Sequence, residues 1–249
     1  MDWTDEGIVL SARKHGESSA IVTLLTRAHG RHLGLVRGGT GRRARGTYEP
    51  GNEVAAHWRA RLDEHLGAFA CELTASHAAP FLDDPLRLAG LAAACAVADA
   101  TLPEREPHGA AYQALRAFLQ ALNTPHSAEA YVRWELDLLK ELGYGLDLSC
   151  CAATGTNERL AFVSPKSGRA VSRAAGEPYR DKLLALPAFL LAGEGPAPGG
   201  VPWAEIADGL KLSGYFLERH VFAPHGRPMP AARTRLVDRL VRSDTISRV

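Results

Sequence analysis

The chain has 249 residues, enough for a sizeable core and for either two modest domains or one large one. Its formal charge is only +1, and a 46% hydrophobic, 23% charged composition is ordinary for a soluble globular protein. The longest apolar runs, Leu88–Val97 and Leu183–Ala192, fall short of the roughly 20 residues a membrane helix needs, which excludes a helical membrane span.

The first residues, Met1-Asp2-Trp3-Thr4-Asp5-Glu6, are acidic rather than basic and lead directly into a strand-like segment, unlike a secretory leader. The four cysteines, Cys71, Cys95, Cys150 and Cys151, form no C-x-x-C pair and no disulfide framework. Both features predict a cytoplasmic protein whose thiols act as small apolar packers.

The near-zero net charge conceals a separation. Residues 11–45 carry eight basic side chains against the single acid Glu17, whereas residues 80–226 hold 13 basic and 17 acidic ones. From Arg227 onward six arginines face Asp238 and Asp244. A cationic leading segment, a mildly acidic middle and a basic tail are therefore expected.

In chain order, short β-rich segments come first: Gly7–Arg13, Ala20–Thr26, His32–Arg37, Asn52–Arg61 and Leu66–Thr74, separated by the turn signals His29-Gly30 and Pro50-Gly51. Five strands in about 75 residues suit a small closed barrel of the oligonucleotide-binding (OB) or SH3-like kind, and composition alone does not separate the two. Between the third and fourth strands a Gly/Arg-rich loop runs from Gly38 to Gly46. After Ala79-Pro80 the chain turns Leu- and Ala-rich, and helices are predicted over Pro85–Leu102, Pro107–Leu122 and Ala128–Leu142. In the last of these, Tyr131, Trp134, Leu138, Leu139 and Leu142 form one apolar stripe. A small hairpin excursion is expected at about 147–175, with helical pattern resuming near Pro178. A Gly/Pro-rich loop follows over 193–200, then helices over Trp203–Phe222 and Ala231–Val241.

The Gly38–Gly46 loop is the most informative local feature. Glycines let backbone amides approach phosphates, and Arg42, Arg43 and Arg45 supply charge-assisted bonds to them. No Gly-Lys-Ser/Thr follows, so it is not a nucleoside-triphosphate loop. A solvated loop would look the same in sequence. With Arg13, Arg31 and Arg37, these arginines form the candidate phosphate-contacting set, and binding through them would be strongly salt-dependent. Aromatic residues for base stacking are few in this region: Trp3, Tyr48, Trp58 and Phe69, with Trp58 readable either as a stacking platform or as barrel core.

Cys150-Cys151 is the best neighbourhood for a metal, yet no cysteine or histidine lies between Ala152 and Arg219, so no metal site is expected. No Gly-x-Ser-x-Gly elbow, His-Glu-x-x-His helix or carboxylate pair stands out, so catalysis is not expected either.

The series Trp3–Leu10, His15–Ile21, Thr26–Gly30, Gly34–Gly38, Tyr131–Leu136, Glu141–Leu148, Cys151–Gly155, Val163–Val171, Leu186–Leu190 and Gly214–Leu217 resembles, in order and over nearly the whole chain, the RecO family of recombination mediators. The resemblance implies an α+β fold. An N-terminal five-stranded OB barrel over 1–79 would be followed by a mainly helical domain over 80–249 with a zinc-ribbon-like excursion. Some relatives hold zinc there with four cysteines. Here Cys151 keeps the first position, Thr154 stands at the second, and 171–174 offers no cysteine, so the excursion would persist without metal and without any cofactor.

The implied activity is binding of single-stranded DNA coated by single-strand binding protein, action with RecR, placement of the RecA recombinase, and annealing of complementary strands without ATP. The family docks the acidic, apolar tail of single-strand binding protein on the helical domain, where Arg133 beside Trp134 is a candidate edge. Two other readings remain: an adaptor that binds only proteins, and a DNA-processing enzyme.

Overall fold

The computed structural model describes residues 1–62, 64–191 and 200–247, without the side chains of Arg43 and of 243–247. Of the loop expected over 193–200, all but Gly200 lies outside these residues.

The first five strands are β1 (Asp2–His15), β2 (Ser19–Thr26), β3 (Gly30–Val36), β4 (Glu53–Arg59) and β5 (Ala68–Ala75), and they close into a barrel in the order β1-β2-β3-β5-β4. The long β1 makes this closure possible by serving two neighbours. Its residues Asp2–Ile8 pair with β4, while Gly7–His15 pair with β2 across a bulge between Val9 and Ser11. A bulge bends its strand and increases twist, as a small barrel requires. The sequence pattern predicts β1 only from Gly7, because Asp2–Glu6 lacks an apolar run. Its ladder to β4 supplies the missing order. The barrel shuts where β3 meets β5 in parallel at Leu35 and Ala68.

Alternation along the strands turns Val9, Val22, Leu24, Val54, Trp58 and Phe69 inward. The expected Gly/Arg loop contains a six-residue helix, α1 (Arg42–Thr47), followed by Tyr48. Ala44 packs against the barrel core and Tyr48 is part of it, four residues apart and so on one helical face.

A second aromatic cluster joins Trp3, His29, His32 and Trp58. Trp3 stacks on His29 at 4.1 Å, and His32 meets Trp58 edge-on at 4.7 Å. Burial, aided by the nearby Arg105 charge, lowers the His32 pKa from 6.5 to about 4, and its ring nitrogens have no hydrogen-bond partner. Between those two values only the unfolded chain takes up the proton, so stability present above pH 6.5 is lost as pH falls toward 4. Urea unfolding should show His32 costing about 2 kcal/mol between about pH 7 and about pH 4.5. His32→Phe, which keeps a ring among rings, should remove that share of the slope; an unchanged slope would refute the assignment.

Helices follow: α2 (Pro85–Thr101), α3 (Gly109–Ala121), α4 (Ser127–Glu141), α5 (Arg173–Gly176), α6 (Trp203–Leu217) and α7 (Ala231–Ser247). The start of α2 is fixed by Asp84, whose carboxylate accepts the Leu86 and Arg87 amides at 3.1 Å, with Pro85 in the first turn. Such a cap contributes about 1 kcal/mol. In α4 the stripe Tyr131, Trp134, Leu138 and Leu139 is buried, as its spacing predicts. Buried beside it, Glu135 accepts a 2.6 Å bond from the Ser213 hydroxyl of α6. The helical pattern near Pro178 resolves into a 3-10 turn, Glu177–Lys182, and α6 ends in a π turn, Glu218–Phe222.

In the excursion strands β6 (Leu160–Val163) and β7 (Ala170–Ser172) form the expected antiparallel hairpin, and β8 (Leu184–Ala185), beyond residue 175, joins β6 as a third strand in the order β7-β6-β8.

The chain packs as two compact units, Met1–Gln120 with Pro230–Leu236, and Ala121–Met229 with Val237–Val249. Strand gives way to helix near the expected boundary at 79–80, but compact packing carries α2 and α3 with the barrel. Two tethers show why. Asp99 of α2 holds Arg31 at 3.2 Å, and Arg116 of α3 holds Glu53 at 3.0 Å. Among the described residues no helix is long and apolar enough to cross a membrane.

Candidate nucleic-acid interface

The β2–β3 hairpin sets the positions of the candidate arginines. Lys14 pairs with Ala20, and Ala20 with Val36, so the end of β1, the start of β2 and the end of β3 lie side by side. The Thr40 amide and hydroxyl then bond the Ser18 carbonyl oxygen, both at 3.1 Å, tying the loop after β3 to the β1–β2 turn. This register places Arg13, Lys14, Arg37, Arg42 and Arg45 at one end of the barrel, all of them exposed. Among the described residues none of the five pairs with a carboxylate. Arg45 is braced by a 3.0 Å bond from its Nε to the Thr40 carbonyl oxygen. Arg43 belongs to the same helix, and its side chain lies outside the described residues.

Arg31 does not join them. It pairs with Leu25 near the opposite end of the β2–β3 ladder, about 17 Å along the strand from Val36. Its guanidinium donates to Asp99 at 3.2 Å and to the Leu102 carbonyl oxygen at 2.8 Å. Half-buried and neutralised, it fastens α2 to the barrel. Charge counting missed this because the partner carboxylate stands 68 residues away.

Aromatic stacking residues are scarce on this surface. Trp58 is fully buried, with its indole N–H shared between the Leu33 and Leu66 carbonyl oxygens. Tyr48 and Phe69 are also core, and Trp3 is half-buried between His29 and Trp58. Strand parity carried this information in the sequence: Val54, Ala56 and Trp58 share the inward face of β4.

In the other unit, Arg133 of α4 is exposed. Its guanidinium donates to the Phe189 carbonyl oxygen and lies over the Phe189 ring at 5.6 Å. It is a surface cation held over an aromatic ring.

In the excursion Cys151 is buried, and its sulfur accepts the Ser172 amide at 3.2 Å. Burial raises the Cys151 thiol pKa, but hydrogen bonds from Ser172, Thr154 and Ala153 outweigh it and bring the value from 9.0 down to about 6. Among the described residues no three His, Cys, Asp or Glu side chains gather in a way that could hold an ion. All four cysteines are free.

Fold and surface together define a barrel-and-helix protein that presents an arginine-rich barrel end. Family comparison makes the class specific: the family model "Recombination protein O N terminal" matches residues 1–77, and "Recombination protein O C terminal" matches 82–228. The chain is 57% identical over 249 residues to the DNA repair protein RecO of Rhodospirillum centenum, covering 99% of this chain and 98% of that one. It is 55% identical over 248 residues to that of Rhodospirillum rubrum, with 97% of each covered. Against that of Afipia carboxidovorans it is 53% identical over 245 residues, covering 98% of this chain and 97% of the relative. The chain belongs to the RecO family.

Proposed function

We propose that the chain is a DNA repair protein of the RecF pathway that grips single-stranded DNA through the arginine-bearing end of an OB-type barrel and performs no chemical step. The observation that carries this reading is the exposed group Arg13, Arg37, Arg42 and Arg45, none of which pairs with a carboxylate among the described residues, on a closed barrel in a chain of the RecO family. Arg43 is assigned to the same set from sequence, and Arg31 is left out because Asp99 holds it.

Phosphate neutralisation with counterion release suffices for binding, and base pairing itself drives annealing of two strands held this way. Single-strand binding protein, RecR and, indirectly, RecA are the partners assigned to it. Arg133 beside Phe189 is the proposed contact for the acidic, apolar tail of single-strand binding protein. The site of action would be the cytoplasm, at the nucleoid. The division at 79–80 is proposed as the family's module boundary, since the two family matches meet between 77 and 82.

Anisotropy of a labelled oligo-dT, titrated across salt, tests the reading. Log affinity should fall linearly with log salt, at about 0.7 per phosphate contacted. Negligible binding even at low salt would instead identify a protein-only adaptor. Cleavage of the labelled strand in Mg²⁺ by the pure protein would identify an enzyme.

A further inference from the structure

The usual ligand face of an OB barrel is built on its second and third strands. In this chain part of that side is occupied. The Ser11 hydroxyl of β1 bonds both Thr23 of β2, at 3.1 Å, and Asp99 of α2, at 2.9 Å, while Arg31 of β3 bonds Asp99 and Leu102. The α2 helix therefore lies over the β1–β2–β3 face.

The opposite side is open. Across β4 and β5, Trp58 and Phe69 point inward as a pair, so the neighbouring pairs His57–Ala70 and Arg59–Ala68 point outward. Ala68 pairs onward with Leu35, extending that row over three strands. The result is a surface groove of about 640 Å³ with a floor of small side chains, Ala68 and Ala70. Arg37 lines its β3 side, His57 and Arg59 line its β4 side, and Tyr48, after α1, also lines it. Three adjacent strands give a floor about 10 Å wide.

Charge selects the occupant. Among the described residues none of those lining the groove is acidic, and neither Arg37 nor Arg59 pairs with a carboxylate. One carboxylate flanks the groove: Asp2 of β1 stands opposite Arg59 in the β1–β4 ladder and reaches His57 at 3.8 Å. From this groove, Arg37 leads directly to Gly38, Gly41 and Arg42, which line a continuing depression beside α1, with Glu72 the one acidic residue on its lining among the described residues.

We infer that single-stranded nucleic acid runs along this β3–β5–β4 groove, its backbone held between Arg37 and Arg59 over the alanine floor, and continues onto the α1 arginines. This placement rests on the proposed single-strand binding. It adds Arg59, which lies outside the cationic segment 11–45, and it moves the ligand off the face that α2 covers. The alanines matter because a backbone can approach them closely.

The test is oligo-dT anisotropy at about 0.1 M salt with three variants of the full chain. Arg59→Ala should lower affinity about fivefold and reduce the salt slope by about 0.7, the share of one phosphate contact. Ala70→Glu, which sets a carboxylate on the floor at an exposed position, should lower it about tenfold or more. Gln113→Glu adds the same charge on an exposed position of α3, outside the groove, and should change affinity less than twofold. Circular dichroism and urea midpoints matching the parent exclude misfolding; if Ala70→Glu fails that check, Ala70→Gln with Arg59→Glu replaces it. Unchanged affinity for Arg59→Ala and Ala70→Glu, in a protein whose α1 arginine variants do lose affinity, overturns the groove and leaves the binding function standing. Absence of binding by the parent overturns both.

Discussion

Trp58→Ala is expected to lower the unfolding free energy by about 3–5 kcal/mol, the range for deleting a large buried ring. Three features put this site at the upper end. Trp58 has no exposed surface, so its whole ring leaves a cavity. Its neighbours cannot collapse into that space easily, because Trp3 stacks on it at 5.6 Å from one strand and His32 abuts it at 4.7 Å from another. Its indole N–H also serves the Leu33 and Leu66 carbonyl oxygens, which would lose a donor inside the protein. The turn before β5 is shaped to this ring as well. Gly67 has φ +64°, and a Cβ there would lie 2.4 Å from the indole. Against a total stability of roughly 5–15 kcal/mol, such a loss removes much of the barrel's margin. Urea unfolding followed by near-ultraviolet circular dichroism reads the effect. Trp58→Phe, which keeps a ring but not the N–H, should cost less, about 1–3 kcal/mol. Equal losses for the two variants would mean that the cavity contributes nothing.

The strands were legible because each carries its own signal: two-residue alternation bounded by Gly or Pro turns. The same holds for α4, whose stripe is local. Features that depend on distant partners were not. The outward-facing start of β1 is ordered only by β4, and Arg31 reads as one more cation until α2 delivers Asp99 to it. In α1, glycines and arginines outweighed the helical signal, although Ala44 and Tyr48, four apart and flanked by polar residues, do mark an inward face. Strand β8 has two residues and no pattern of its own; it exists through its pairing with Phe162 and Val163. That Thr154, not a cysteine, follows Cys151 three residues on is plain in the sequence, whereas the Ser172 amide that the Cys151 sulfur accepts required the fold. The candidate interface was thus readable as a charge cluster but not as a surface, since register decides which of its members share one end of the barrel.

Replacing Arg42, Arg43 and Arg45 together with alanine should weaken single-strand binding about 100-fold at about 0.1 M salt and reduce the salt slope by about 2. Both figures follow from one assumption, that each arginine displaces the counterions of one phosphate. With a slope of about 0.7 per contact, three lost contacts change the exponent by about 2, and a tenfold dilution below the 1 M reference converts that to two decades. The structure gives reason to expect additivity. Arg42 and Arg45 are exposed, and among the described residues neither has a carboxylate to recapture it, so removing them costs binding rather than packing. Arg45 does brace the Thr40 carbonyl oxygen, but that carbonyl lies at the surface and water can replace the bond. Ala44, which anchors the helix to the core, is untouched, so the unfolding midpoint should stay near that of the parent. Annealing of complementary strands should fall in parallel, because both strands depend on the same cations. Arg31→Ala should show the reverse pattern: stability falls as Asp99 and the Leu102 carbonyl oxygen lose their partner, while the salt slope stays unchanged. A triple variant that binds with the parent's slope would remove the α1 arginines from the interface, whatever the charge count suggests.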